Sequence, residues 1–190
     1  CILLIPWFIA NYAIAQDGAW VGKTVFTKYH GIKITGMDEK TRLPAVIAQL
    51  DDSITYRVLD EKGGRVRVVT SHGKIGWAEK TDLMPADEAV EYFSREIARM
   101  PNSASAHQKR GYAFELLGKP KDALRDLNES ISHSDGDPFA WNQRAGLHLA
   151  NREYKLAIED FSLAIKAAPY VAVLRANRGY ARALAPRVAT

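Results

Sequence analysis

The sequence has a single cysteine, no strong excess of either charge and no apolar run long enough to span a bilayer. The lone cysteine, Cys1, excludes a disulfide within the chain. There are 26 Lys and Arg against 22 Asp and Glu, a net charge of +4, and the basic residues form no stripe. Nucleic-acid binding is therefore not expected. The longest apolar run, residues 1–15, is shorter than the roughly 20 residues that a membrane-spanning helix needs.

Catalytic and metal-binding patterns are also missing. The five histidines have no metal-ligand spacing among themselves or with Cys1. Residues 22–24 (Gly-Lys-Thr) match the end of a phosphate-binding loop, but Asp17 occupies the position of that loop's first glycine. The adjacent acids Asp51 and Asp52 are more typical of a loop than of a general acid–base pair. We therefore expect no enzymatic activity, no cofactor and no metal site.

Residues 1–15 predict the end of a signal peptide. The run is uncharged, carries Ala13 and Ala15 at the small-residue positions that a signal peptidase reads, and is followed by polar residues. A buried N-terminal segment and a short membrane anchor are the open alternatives. We expect an exported bacterial protein, periplasmic or extracellular, with cleavage after Ala15 and no stable membrane span in the mature chain. We also expect the sequence to be a fragment at both ends.

Short β-type runs occupy residues 16–85. β-branched and aromatic residues are frequent at 21–29 and 32–35, and alternating patterns follow at 54–59 and 65–70. Glycine-containing turns separate these runs, while polar residues 36–43 predict a loop. The pattern indicates two hairpins in a small antiparallel barrel or curled sheet. Trp77 is expected in the core, because a sheet this small needs a large side chain to bury.

From residue 86 onward, amphipathic helices repeat with a period of about 34 residues, a length typical of stacked helical hairpins. The period aligns like residues in successive units: Ala89, Ala123 and Ala157; Phe93, Leu127 and Phe161; Arg110, Arg144 and Arg178. In such an array no single unit can bury its own apolar face. In the most regular unit, residues 137–169, Asp137 is expected to cap the first helix, with Pro138 in its first turn, and Pro169 to follow the second.

This unit resembles the tetratricopeptide repeat (TPR). The family's pattern of Trp, a small residue, Ala, an aromatic, Ala and Pro is matched in order by Trp141, Ala145, Ala157, Phe161, Ala164 and Pro169. With their equivalents Ala89, Phe93, Ala123 and Leu127, these residues form the predicted repeat core. The resemblance implies an α–α hairpin solenoid that binds a protein or peptide partner.

The resemblance also implies a concave groove lined by the first helix of each hairpin. Its positions are Gln108, Tyr112, Glu115, Asn142, Gly146, Leu149, Ala176, Tyr180 and Ala183. The candidate binding residues among them are Gln108, Tyr112, Glu115, Asn142, Leu149 and Tyr180. Gln108 and Asn142 can hydrogen-bond to a peptide backbone, and Tyr112 and Tyr180 offer apolar area with a polar tip.

Basic residues lie beside the groove positions. Some family members grip a C-terminal carboxylate with such residues. Here Arg144 and Arg178 are interpreted instead as packing or ion-pair residues within the solenoid, because they are one or two positions off the groove face.

Residues 73–83 resemble the closing segment of bacterial SH3-like domains, through Gly73, Gly76, Trp77 and Leu83. This resemblance implies a small β-barrel in which a one-turn helix precedes the last strand. Some domains of this kind bind cell-wall peptides or short extended ligands, and others only pack.

Together these patterns predict an α+β chain of two domains, an SH3-like β-barrel followed by a TPR-like solenoid. The expected segments are a partial signal peptide at 1–15, the β domain at 16–85, a half-repeat helix at 86–101 and repeats at 102–190, two complete and one truncated. The predicted function is non-enzymatic binding of a polypeptide by an exported scaffold. The alternatives are cell-wall or peptide targeting through the β domain, and an accessory region of a longer enzyme.

Overall fold

The computed structural model describes residues 19–29, 31–37, 42–50, 55–70, 73–134 and 136–186. The predicted signal peptide and the acids at 51 and 52 lie outside these residues. The chain divides into two compact units, Cys1–Glu88 and Ala89–Thr190. Within the described ranges, no helix combines the length and apolar character that crossing a membrane requires.

The first unit is an antiparallel sheet of seven strands. Strands β1 to β7 are Thr24–Thr27, Lys33–Met37, Pro44–Gln49, Tyr56–Lys62, Arg65–Val69, Ile75–Glu79 and Leu83–Pro85. They lie in the order β3-β2-β6-β5-β4-β1-β7, and every described pair is antiparallel. The predicted closed barrel is therefore wrong for the described residues. The three-residue β7 pairs with β1 and not with β3, which leaves both as edges of an open sheet.

One face of the sheet encloses the apolar core. In β5, Val66 and Val68 are buried while Arg67 between them is exposed, as the alternation of a strand requires. The core also contains Val25, Ile34, Tyr56, Val58, Ala78 and Leu83 from the other strands, and Ile32 and Leu50 from positions next to β2 and β3. The sequence pattern thus predicted this face of the sheet.

Trp77 does not join that core, contrary to the prediction. Its neighbours Gly76 and Ala78 are buried, so Trp77 points to the opposite face of β6 and stays partly exposed. The guanidinium carbons of Arg65 and Arg67 each lie 5.9 Å from the centroid of its ring. This distance is within the range of a cation–π contact, which stabilises an aromatic ring at the surface.

The second unit contains helices joined by short turns. Helices α1 to α6 are Ala86–Arg99, Ala104–Leu116, Pro120–His133, Pro138–Ala150, Tyr154–Ala167 and Ala172–Leu184. Helices α2 and α3 form one hairpin and α4 and α5 the next, while α3 also packs on α4, and α5 on α6. The caps follow the sequence: Asp137 accepts a hydrogen bond from the Phe139 amide at 2.9 Å, and α5 ends two residues before Pro169.

Eight of the ten predicted core residues are buried in this unit. They are Ala89, Phe93, Ala123, Leu127, Ala145, Ala157, Phe161 and Ala164. Trp141 is only half-buried and Pro169 is exposed, so these two differ from the prediction. Pro169 lies in the turn after α5, where its carbonyl accepts a hydrogen bond from Arg175. His107, in the first hairpin, makes the same kind of contact with the carbonyl of Pro101, at 2.9 Å.

The two hairpin turns differ at one equivalent position. Gly118 has φ 68° between α2 and α3, and Arg152 has φ 62° between α4 and α5. A side chain in this left-handed region is strained by about 1–2 kcal/mol, a strain that glycine avoids.

We therefore expect Arg152→Gly to raise the free energy of unfolding by about 1 kcal/mol in urea denaturation, because it relieves that strain. Arg182→Gly is the control. It lies at an exposed position inside α6 and should lower the free energy of unfolding by about 1 kcal/mol. A loss in both variants would contradict the assigned turn.

Candidate functional site

The first helices of the hairpins, α2, α4 and α6, form one layer of the second unit. Helices α2 and α4 both pack on α3, and α4 and α6 both pack on α5. The layer also has direct contacts, since Asn177 Nδ2 on α6 donates to Asn142 Oδ1 on α4 at 3.1 Å. The nine predicted groove positions all lie on these three helices, and we call them the inner face.

Every position of the inner face keeps contact with solvent. Half-buried positions are Gln108, Tyr112 and Glu115 on α2, and Asn142, Gly146 and Leu149 on α4. Ala176, Tyr180 and Ala183 on α6 are all exposed. Residues beside them on the same helices are fully covered, namely Gly111, Ala113, Ala145, Leu147 and Ala181. The inner face is therefore an open surface supported by a packed interior.

Leu149 differs from the other candidate binding residues. Its side chain packs against Ala145, Ala157, Phe161 and Ala181, the core of the second hairpin. It is therefore part of the hydrophobic core, and only the solvent-exposed part of its side chain can contact a ligand.

Gly146 makes a gap in the middle of the inner face. A Cβ atom added there would meet no heavy atom within 4 Å. Gly111, one hairpin earlier but on the buried side of α2, is different, because its Cβ would lie 3.3 Å from Ala123, Asp126 and Leu127. The absence of a side chain at 146 is therefore not required by packing in the described structure.

Gly146→Ala should therefore stabilise the protein. A glycine inside a helix costs about 0.8–1.0 kcal/mol relative to alanine, and nothing at 146 opposes the added methyl group. We expect the free energy of unfolding to rise by about 1 kcal/mol in urea denaturation. Gly111→Ala should gain less, because its neighbours must move. An equal increase in the free energy of unfolding for both variants would contradict the difference in free space between positions 146 and 111.

Glu115 carries the only side chain of the inner face that is charged at neutral pH. It is half-buried, and burial raises the pKa of its carboxyl group. Within the described residues no side chain donates a hydrogen bond to this carboxylate or forms an ion pair with it. As far as the structure describes the chain, the inner face thus contains a partly desolvated negative charge without an ion-pair partner.

Two arginines beside the inner face are bound inside the solenoid. Arg110 contacts both carboxylate oxygens of Asp126, with Nε and Nη2 each at 2.7 Å. Arg144 binds Asp160 in the same way, at 2.8 and 2.7 Å. Hydrogen bonds from Arg110 to Asp126 raise the pKa of the Arg110 guanidinium, which keeps it charged. The interpretation of Arg144 as an ion-pair residue is consistent with this geometry.

The remaining guanidinium nitrogen of each arginine reaches back to the preceding second helix. Nη1 of Arg110 donates to Ser94 Oγ at 3.0 Å, and Nη1 of Arg144 donates to Asn128 Oδ1 at 2.8 Å. Arg178 repeats the contact with Ser162 Oγ at 3.3 Å. We call these contacts the arginine ladder. They join each hairpin to the one before it.

Sequence reasoning missed the aspartates that pair with Arg110 and Arg144. Asp126 and Asp160 are buried, at 2% and 5% exposure, and occupy the same position in successive repeats, so their spacing was a usable signal. In the described ranges, no three His, Cys, Asp or Glu side chains lie together as possible metal ligands.

Comparison with curated proteins finds short stretches of similarity. No protein-family model matches the chain. Tetratricopeptide repeat protein 36 of Caenorhabditis elegans is 44% identical over 46 residues, 24% of this chain and 26% of that protein. Its namesake in Danio rerio is 42% identical over 59 residues, 31% of this chain and 30% of that protein. The aligned segment thus spans less than a third of these relatives.

Solved structures resemble the helical part of the chain. The first TPR of Spaghetti (RPAP3), bound to the HSP90 peptide SRMEEVD, has a TM-score of 0.51 at 20% identity, covering 53% of this chain and 81% of that one. The first TPR domain of human RPAP3 has a TM-score of 0.50 at 17% identity, covering 52% and 78%. At these identities the likeness shows the fold alone.

Proposed function

We propose that this tetratricopeptide-repeat protein is a non-enzymatic interaction module that holds a polypeptide partner on its inner face. One observation carries the proposal: every position of the inner face keeps contact with solvent, while Gly111, Ala113, Ala145, Leu147 and Ala181 on the same helices are buried. The HSP90 peptide bound by the first TPR of Spaghetti supports the same use of this fold.

The residue types of the inner face suit an extended polypeptide. The amide groups of Gln108 and Asn142 both donate and accept hydrogen bonds, as a peptide backbone does. Tyr112 and Tyr180 offer rigid apolar rings with hydroxyl tips, which favours binding because little side-chain entropy is lost.

An array of unrestricted short peptides, probed with the full chain, tests this function. Tyr180→Ala should weaken binding to the peptides that are captured, because Tyr180 lies on the inner face and is 60% exposed. Tyr170→Ala removes the same side chain at a position that is 96% exposed and off the inner face. It should leave binding unchanged. Capture of no peptide, or equal effects of both variants, would contradict the proposal.

A second candidate function concerns the first unit, which we propose is an SH3-like domain. Its chain order supports this assignment, since β6 is followed by a one-turn 3₁₀ helix, Lys80–Asp82, and by β7. Trp77 lines an open depression on the outer face, together with Met37 and Val46, which are 60% and 55% exposed. An exposed aromatic ring among apolar side chains favours binding of a ligand such as a cell-wall peptide.

Sedimentation with purified peptidoglycan tests this second candidate. Trp77→Ala should release the chain into the supernatant. Ile75→Ala, in the same strand and 51% exposed, does not line the depression and should still sediment. Failure of the unaltered chain to sediment would reject cell-wall binding without affecting the proposal for the repeats.

We also propose export from a bacterial cell, supported by the pattern of residues 1–15 alone. N-terminal sequencing of the protein isolated from its natural source should give Gln16 as the first residue. A protein that retains residues 1–15 in the cytoplasm would contradict export.

A further inference from the structure

We infer that the inner face selects an extended segment that places a bulky apolar side chain over Gly146 and a lysine or arginine beside Glu115. This inference rests on the proposed function, because it specifies the partner of the same face. It is carried by two independent features, the open space at Gly146 and the uncompensated charge of Glu115.

The gap at Gly146 lies between two tyrosines. Tyr112 and Tyr180 occupy the equivalent position one hairpin before and one hairpin after. Helix α4, which carries Gly146, lies between α2 and α6 in the layer. Phe114 of α2 packs against the cluster that includes Leu147 of α4, and Asn142 of α4 is hydrogen-bonded to Asn177 of α6. The three helices are therefore successive neighbours.

The shape of this gap sets the first requirement on the partner. With neighbouring helix axes about 8–10 Å apart, the two tyrosine positions are separated by about twice that distance. Between them the surface drops to the backbone at Gly146, where an added Cβ would have no heavy atom within 4 Å apart from its own chain neighbours and helix backbone. A leucine or phenylalanine side chain fills such a gap and contacts the tyrosines, whereas an alanine leaves it open.

Charge sets the second requirement. Glu115 is the only inner-face side chain charged at neutral pH, and within the described part of the chain it has no ion-pair partner. Arg110 and Arg144, the arginines beside this face on α2 and α4, are bound to Asp126 and Asp160. A partner that brings a lysine or arginine supplies the ion-pair partner that Glu115 lacks among the described residues.

The same arrangement disfavours a partner gripped by its C-terminal carboxylate. Among the nine inner-face positions there is no lysine, arginine or histidine. An incoming carboxylate would be partly desolvated near Glu115 without a cation to bind it, and like charges repel. Charge complementarity therefore points to a cationic internal segment.

Three pools of capped heptapeptides test the inference on the full chain. The first has Phe and Lys at two fixed positions, the second has Glu in place of Lys, and the third has Ala in place of Phe; each pool is synthesised at several spacings of the fixed pair. At one spacing, the dissociation constant measured by fluorescence anisotropy should be at least tenfold lower for the first pool than for either of the others.

Two variants test whether Glu115 causes the preference for Lys and whether the space at Gly146 causes the preference for Phe. Glu115→Gln should lose the preference for Lys over Glu and keep that for Phe over Ala. Gly146→Leu should lose the preference for Phe, since the new side chain fills the gap. Gly179→Leu is the matched control, because its Cβ also meets no atom within 4 Å but lies off the inner face. Circular dichroism at the binding temperature verifies that each variant is helical.

The outcomes separate this inference from the proposed function. If the unrestricted array captures peptides in a Tyr180-dependent way but the three pools bind alike, the selection rule is wrong and the binding function stands. If Glu115→Gln leaves the Lys preference intact, the charge argument is wrong. If the array captures nothing, the proposed function fails, and the inference fails with it.

Discussion

Arg110→Met is expected to lower the free energy of unfolding by about 3–5 kcal/mol, measured by urea denaturation of the full chain. The guanidinium makes two hydrogen bonds to Asp126, whose side chain is 3% exposed, and a third to Ser94. Methionine keeps much of the apolar stem but leaves a buried carboxylate without its cation. Desolvation of that carboxylate, rather than loss of packing, causes the expected loss.

A matched variant on the neighbouring helix controls for the loss of a positive charge. Arg125 is 76% exposed on α3 and lies 3.6 Å from Asp122, so Arg125→Met should cost at most about 1 kcal/mol. The double variant Arg110→Met with Asp126→Leu should recover much of the loss, because it removes both buried charges. A double variant as unstable as Arg110→Met alone would show that the carboxylate is not the cause.

Phe161→Ala is expected to lower the free energy of unfolding by about 3–5 kcal/mol as well, for a different reason. Phe161 is 2% exposed and packs with Ala145, Ala157 and Ala181. Its buried partners in this cluster are alanines, whose short side chains cannot move to fill the space that the ring leaves, and only the partly buried Leu149 and Ile158 also pack against the cluster. The variant therefore creates a cavity where three helices meet, and thermal unfolding followed by circular dichroism should show the loss.

Two further substitutions bracket this result. Tyr170→Ala removes an aromatic ring that is 96% exposed and should change stability by at most about 0.5 kcal/mol. Phe161→Leu should cost less than Phe161→Ala, since Leu127 fills the equivalent site of the first hairpin with no exposed surface. A Phe161→Ala effect no larger than that of Tyr170→Ala would contradict the assigned core.

The helical unit was predictable from the sequence because its contacts recur at a fixed spacing. Small residues such as Ala89, Ala123 and Ala157 recur once per repeat, and all three are fully buried. A period constrains many positions at once, so the pattern is strong even where a single unit is atypical. The caps were predictable for a related reason, since Asp137 acts on an amide only two residues away.

The sheet was less predictable because its pairings are not local. Strand β3, Pro44–Gln49, was missed, since its first residue cannot donate to a ladder and its apolar residues do not alternate clearly with polar ones. The exposed position of Trp77 depends on the register of β6, in which Gly76 faces inward. A shift of one residue would have placed Trp77 in the core.

The inner face was predictable as a set of positions, but its chemistry was not. The period placed the nine residues on three helices, whereas the open space at Gly146 depends on how those helices pack. The pairing of Arg110 with Asp126 crosses 16 residues between two helices, and no local rule links them. Sequence reasoning therefore gave the positions of the inner face, but not the open space or the charge on it.

The arginine ladder links the first helix of each repeat to the second helix of the preceding repeat through the same type of hydrogen bond. Each arginine donates hydrogen bonds to a serine or asparagine 16 residues before it and to an aspartate 16 residues after it. The same spacing recurs in successive hairpins. Tandem duplication of one repeat would add a hairpin that already carries the arginine and the acceptors for these hydrogen bonds on both sides. Arrays of this type can therefore lengthen by recombination without new compensating mutations.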